Sequence, residues 1–249
     1  MKELQEKYAS VILKTCLKVK KNQPLFISAN SERLDFVRIV ADKALELGVK
    51  DIYFDITDSI LKHSILKELS LKELKKHQYF NKQNWNEYAK KGAAFVMLAS
   101  ETPGLMKDID QKKLSDITMY AYDTRKTFDD LRDESKVAWC IAAVPTDAWA
   151  KEVFPNSDNS LEDLWKKIFE VCCLNEDNPE KIWNKKTAKL NERSKKLTEC
   201  HIKKLKYTNS LGTDFTIELP DKAIWRSGYE TLANGTKVLV NYPTEEIGR

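Results

Sequence analysis

Four short apolar runs constrain the fold of this chain more than any other feature: P-L-F-I-S-A at 24–29, D-I-Y-F-D-I at 51–56, A-A-F-V-M-L-A at 93–99 and V-A-W-C-I-A-A-V at 137–144. Each is too short for a buried helix, and the stretches between them carry apolar residues at spacings of three and four, as amphipathic helices do. Strand, helix, strand at this spacing predicts parallel crossovers, and strands that are apolar along most of their length predict a sheet covered on both faces. The expected architecture is an α/β domain over residues 1–205, with a parallel sheet of about four or more strands flanked by helices.

The local punctuation agrees with this. Leu4, Tyr8, Val11, Ile12 and Cys16 lie on one face of an opening helix, and Asn30 and Ser31 precede a second periodic run that Gly48 is suited to stop. Ser70 with Glu73, and Asn84 with Glu87, have capping-box spacing and predict two or three short helices over 59–91. Ser160 with Asp163, and Asn178 before Pro179, open two further helices. The second of these runs into a basic stretch, 181–206, whose ten Lys or Arg stand against Glu192 and Glu199, in a chain of net charge +4. A solvated helix face is the ordinary meaning of such a run, and a partner or nucleic-acid surface is the other.

From 206 onwards the pattern changes. T-D-F-T-I-E-L alternates, and Gly212, Pro220 and Asn234 with Gly235 punctuate short strands, as antiparallel hairpins require. Residues 206–249 are expected to begin a second, β-rich unit. Its few short strands bury too little apolar surface to stand alone, so that unit is expected to continue beyond this chain.

Several function classes are excluded. The near-balanced charge does not by itself argue for nucleic acid, and there is no G-x-G-x-x-G after the first strand and no G-x-x-x-x-G-K-[ST], which removes the usual dinucleotide and P-loop readings. The cysteines, Cys16, Cys140, Cys172, Cys173 and Cys200, are odd in number and form no C-x-x-C pair, as expected of buried thiols in a reducing compartment. No window reaches the roughly 18 apolar residues of a membrane span, so a cytoplasmic protein is expected. His63, His77 and His201 are isolated, and no local motif assembles a metal site from them. Ala29, Asn30, Ser31, Thr57, Asp58, Ser100, Glu101, Thr146 and Asp147 follow the four strands and would rim the crevice at their carboxyl ends, although polar residues so placed are most often helix caps.

Glu245 and Glu246 differ in kind. They follow the apolar run Val238–Val240 and Pro243, which fixes the backbone where the strand ends. A carboxylate held there is a reasonable hard ligand for a divalent cation, while an exposed acidic pair is the plainer reading of the spacing alone.

The segment N-Y-P-T-E-E-I at 241–247 is similar to the motif that carries the first metal-binding glutamate of the aminopeptidase T and aminopeptidase S family. L-G-T-D-F-T-I-E-L at 211–219 resembles that family's Gly-Thr-Asp strand, Trp225 with Gly228 its following W-x-x-G, and W-A-K-E-V-F-P at 149–155 another of its segments. L-W-K-K-I-F at 164–169, E-D-N-P, Trp183 and the D-F-V-R helix at 35–38 continue the likeness across essentially the whole chain.

The resemblance implies the N-terminal portion of a thermophilic metalloaminopeptidase, with 206–249 the start of its catalytic domain. It implies peptide substrates, a homodimer, and two divalent cations, zinc, cobalt or similar, that activate a water. It also implies that Glu246 is a metal ligand, with Glu245 the alternative. Two departures stand out. Gly248 and Arg249 replace a Phe-Thr continuation, and Asn184 to Thr187 stand where the family's helix carries a histidine. The remaining ligands of the family have no counterparts here, so the chain is expected to be inactive alone. The alternative from another class is a non-catalytic binding domain that uses the strand-end crevice or the basic helix.

Overall fold

The structure is a computed structural model that describes residues 1–100, 102–245 and 247–248, with the backbone alone described for 78–81 and 247–248. The chain opens with α1 (Lys2–Val11), which runs on as a π-turn over Ile12–Cys16, and then enters β1 (Leu25–Asn30), α2 (Leu34–Glu46) and β2 (Ile52–Thr57). Helices α3 (Ser59–Glu68) and α4 (Leu71–Lys90) lead to β3 (Ala94–Ala99), and α5 (Gln111–Thr124) and α6 (Lys126–Asp133) to β4 (Trp139–Ala143). Next come α7 (Asp147–Val153), α8 (Ser160–Val171) and α9 (Pro179–Glu199). Short strands complete the chain: β5 (Lys204–Thr208), β6 (Asp214–Glu218), β7 (Arg226–Ser227), β8 (Glu230–Thr231), β9 (Lys237–Val238), β10 (Asn241–Tyr242) and β11 (Ile247–Gly248).

The four apolar runs form β1 to β4 of a parallel sheet in the order β10-β4-β3-β1-β2. Alternation along each strand feeds two cores. Leu25, Ile27 and Ala29 face a large cluster with Tyr8, Phe36, Trp165, Phe169 and Trp183, whereas Phe26 and Phe95 face Trp85 and Phe128 on the opposite side. Burial on both faces is why β1 and β3 read as nearly continuous apolar runs, whereas β2, at the sheet edge, leaves Phe54 and Ile56 exposed.

Local signals account for most boundaries. The helix α2 ends in a Schellman motif, in which Gly48 (φ +83°) donates to Leu45 O and Val49 donates to Ala44 O. Ser70 and Glu73 form a reciprocal capping box at the start of α4, and Asn178 Oδ1 accepts from Lys181 N at the start of α9. Asn84 with Glu87 is a correction: both lie inside α4, and Asn84 donates to the Tyr53 hydroxyl instead. The buried Trp85 and Ala89 keep that helix running.

One acid-sensitive contact ties α3 to the loop before α5. Asp108 accepts from Lys67 Nζ at 2.9 Å and meets His63 Nε2 at 2.6 Å, and these bonds, the His63 contact first, pull its carboxyl from 3.8 to about 2. A depressed carboxylate contributes stability above its unfolded pKa and loses it as pH falls through the folded value. Asp108→Asn should therefore destabilise near neutral pH, with the gap to the parent chain closing as pH approaches about 2; denaturant melts across that range read this directly.

The expected strand change at 206 is present: β5 and β6 form an antiparallel ribbon in which Leu205 faces Ile217 and Tyr207 faces Phe215. Beyond it the chain turns back. β10 joins the parallel sheet beside β4, and Val238, Leu239 and Tyr242 pack into the large core, so this segment packs with the parallel sheet and its helices.

Candidate functional site

The segment singled out from the sequence is anchored before it reaches its glutamates. Leu239 N donates to Cys16 O at 2.9 Å, Ile141 N donates to Val240 O at 2.8 Å, and Asn241 and Tyr242 then pair with Ile141 and Ala142. Tyr242 is the main anchor: its ring lies 5.5 Å from that of Tyr8 and 5.3 Å from that of Trp183, and its hydroxyl donates to Cys172 O at 2.9 Å. Burial pushes the Tyr242 hydroxyl far above its ordinary range, so it remains a neutral donor. Thr244 is buried, and the chain emerges at Glu245.

Glu245 Oε1 accepts from Lys186 Nζ at 2.6 Å, and this bond raises the Lys186 pKa. Lys186 also lies over the Trp183 ring at 4.8 Å. An exposed pair of this sort adds little stability, but it fixes a direction for the carboxylate. Nothing local in the sequence signals it, since the partners are 59 residues apart and Lys186 sits in the stretch where the sequence departs from the family's histidine. Glu246, the expected ligand, lies outside the described residues.

The close approach of α9 to β7 frames this corner. At Gly228 (φ +77°) an added Cβ would stand 2.4 Å from Asn191 Nδ2 and 2.7 Å from Thr187 O. Beside it opens a cavity of about 730 Å³, lined by residues that include Trp139, Asn191, Trp225, Glu230 and Thr244. Glu230 spans it, accepting from Ser135 Oγ at 2.6 Å and from Trp139 Nε1 at 3.2 Å. The volume is in the range of small-ligand clefts.

The strand-end residues are gathered as caps. Asn30 donates to Ser59 and accepts from Glu32 N, Ser31 donates to Asp58, Asp58 accepts from Leu61 N, and Thr146 accepts from Trp149 N. The backbone bond from Leu61 is the chief reason that the Asp58 carboxyl titrates low. Arg33 reaches Asp147 at 3.5 Å, and the Ser100 and Thr102 hydroxyls are buried without a hydrogen-bond partner among the described residues. Glu101 lies outside the described residues.

Cys16, Cys140 and Cys172 are buried, as expected, and burial pushes the Cys172 thiol up to about 12, which makes it unreactive. Cys173 is half-buried and Cys200 exposed, so the expectation of buried thiols fails at Cys200, which follows the last residue of α9. Among the described residues no three His, Cys, Asp or Glu side chains come together as a group that could hold a metal ion, and no helix is long and apolar enough to cross a membrane. The described residues therefore do not by themselves fit a pair of divalent cations: one oxygen of Glu245 is taken by Lys186, and His63 is paired with Asp108.

Known proteins share this architecture and sequence. The chain is 29% identical over 242 residues to aminopeptidase AmpS of Bacillus subtilis, covering 96% of this chain and 59% of that protein. It is 29% identical over 248 residues to aminopeptidase 2 of Geobacillus stearothermophilus, covering 99% and 60%. The solved structure of wild-type AmpT from Thermus thermophilus superposes with a TM-score of 0.86 at 23% identity, over 99% of this chain and 61% of that one, a likeness of fold. The chain thus spans about 60% of the length of the relatives it matches. The sequence pattern of the thermophilic metalloproteases (M29) matches residues 1–247, and the chain belongs to that family.

Proposed function

We propose that these residues are the amino-terminal part of a metal-dependent aminopeptidase, a hydrolase that removes N-terminal residues from peptides, and that the 249 residues alone are inactive. The observation that carries the reading is the anchoring of N-Y-P-T-E-E-I: a strand locked into the parallel sheet by Tyr242 delivers a carboxylate segment to the surface beside α9 and the large cavity. A rigid strand end is a suitable mount for a metal-binding carboxylate, because ligands on sheet elements are held more closely than ligands on loops. Glu246 is the proposed ligand, with Glu245 the alternative. Lys186 favours this order, since it already engages Glu245.

The other parts of the reading are proposals for the complete protein: residues 206–249 as the start of the catalytic unit, two zinc, cobalt or similar ions, peptide substrates, a homodimer and a cytoplasmic location. The binding-domain alternative has less support, because Asn30, Asp58 and Thr146 are engaged as caps and Lys195 and Lys196 of the basic helix pair with Glu199 and Glu192. The test is hydrolysis of a leucyl reporter with added zinc or cobalt. The complete protein is expected to turn over and to lose activity to a chelator, while the 249-residue chain shows none. Turnover by the 249 residues at a rate typical of an intact enzyme would overturn the inactivity claim.

A further inference from the structure

The strand β2 closes one end of the parallel sheet, and among the described residues nothing pairs with its outer edge. In a parallel ladder alternate residues bond to each side, and Leu25 N donates to Asp51 O, so the odd-numbered residues of β2 bond to β1. The N–H and C=O groups of Ile52, Phe54 and Ile56 therefore point outward. The side chains of Phe54 and Ile56 are 44% and 37% exposed, and Ile60 and Leu61 at the start of α3 are exposed as well. Proteins commonly blunt such an edge with a proline, a lysine or a bulge. This strand has no proline or lysine, and its register with β1 is unbroken. Its one charge, Asp55, is held by Trp85 Nε1 and Lys82.

We propose that this edge pairs antiparallel with β2 of a second copy of the chain, across a two-fold axis, with Phe54 opposite itself. The pairing would join two five-stranded sheets into one. A two-fold axis normal to the sheet keeps each face on its own side, so opposed residues are both even or both odd in number. Three registers then bring Phe54 to the axis or beside it, and charge decides among them. With Phe54 opposite itself, Ile52 faces Ile56, Tyr53 faces Asp55, Asp51 faces Thr57, and Lys50 of each copy faces Asp58 of the other. One step to either side sets Asp51 against Asp55, or Asp55 against itself, and like charges so placed are destabilising. Lys50 is exposed and has no ion pair among the described residues. Asp58 is exposed too, and its oxygens, which already accept from Ser31 Oγ and Leu61 N, keep lone pairs for a further donor. The edge is thus complementary to itself in backbone, in apolar contact and in charge.

The experiment uses the 249-residue chain and reads no hydrolysis, so its outcome is independent of the aminopeptidase reading. Sedimentation should show a concentration-dependent dimer. Phe54→Lys, which sets two ammonium groups together at the axis and removes the central apolar contact, should weaken that dimer at least about tenfold. Leu211→Lys, between β5 and β6 and 92% exposed, should leave it unchanged. Cross-linking reads the register. In a Cys200→Ser background Phe54→Cys should give a disulfide-linked dimer on mild oxidation, because opposed residues of an antiparallel pair lie about 4.5–5.5 Å apart at Cα. Ile56→Cys should not, since its copy lies four residues, roughly 13 Å, along the strand. A chain that stays monomeric, or a dimer that tolerates Phe54→Lys or is broken by Leu211→Lys, would overturn the proposal. Cross-linking through Ile56→Cys as efficient as through Phe54→Cys would overturn it too.

Discussion

Tyr242→Ala is expected to lower the stability of the chain by about 3–5 kcal/mol, the range for truncating a buried aromatic side chain. Tyr242 is 2% exposed and touches Tyr8 and Trp183, so the cavity it leaves is walled by rigid rings that close poorly over it. Tyr242→Phe should cost only about 1 kcal/mol, the net value of one hydrogen bond, because Cys172 O still accepts from Trp183 Nε1 at 2.8 Å. The difference separates packing from hydrogen bonding. The alanine variant should also release β10 from β4, which faster amide exchange at positions 241 and 242 would report. An unfolding free energy from denaturant melts within about 1 kcal/mol of the parent for Tyr242→Ala would contradict the anchoring argument.

Gly228→Ala should destabilise by about 2–5 kcal/mol, from two sources. A left-handed backbone costs a non-glycine residue about 1–2 kcal/mol, and overpacking adds about 1–3. At φ +77° the new methyl would meet Asn191 Nδ2 and the Thr187 carbonyl of α9, and the carbonyl cannot move without bending the helix. Asn191→Ala in the same chain should recover part of the loss by removing the side-chain clash, and the backbone clash should keep the recovery incomplete. Full recovery would mean that α9 and β7 are not held as closely as the structure has them.

The sheet was legible in the sequence because the central strands β1 and β3 are buried on both faces and announce it in their composition, and the capping box at Ser70 because its partners are three residues apart. Two features have the opposite cause. The strand β10 is two residues long and its partners are Ile141 and Ala142, so its place in the parallel sheet is not announced locally, while the run just before it does form one arm of the β8–β9 hairpin. The pair Asn84 and Glu87 has capping-box spacing inside a helix whose path is set by the burial of Trp85 and Ala89. Both were decided by contacts distant in sequence, which overrule local pattern.

The same division holds at the candidate site. Pro243 and the glutamate pair mark a strand end that can be read locally, and the likeness to a known family gave it a meaning. Lys186 and Glu230 could not be read, since their partners Glu245, Ser135 and Trp139 lie 59 to 95 residues away. The helix passed over for lacking a histidine supplies the lysine that meets the glutamate.

The assignment of Glu246 is tested most directly by one comparison in the complete protein, in which bound metal and release of the N-terminal residue from a leucyl peptide are measured together for Glu246→Gln and Glu245→Gln. Loss of a direct ligand should exceed the tenfold to hundredfold effect typical of supporting residues. The account predicts that Glu246→Gln lowers both metal occupancy and hydrolysis more than about 100-fold while Glu245→Gln keeps most of each. A Glu246→Gln protein that binds metal and cleaves the peptide like its parent would contradict it.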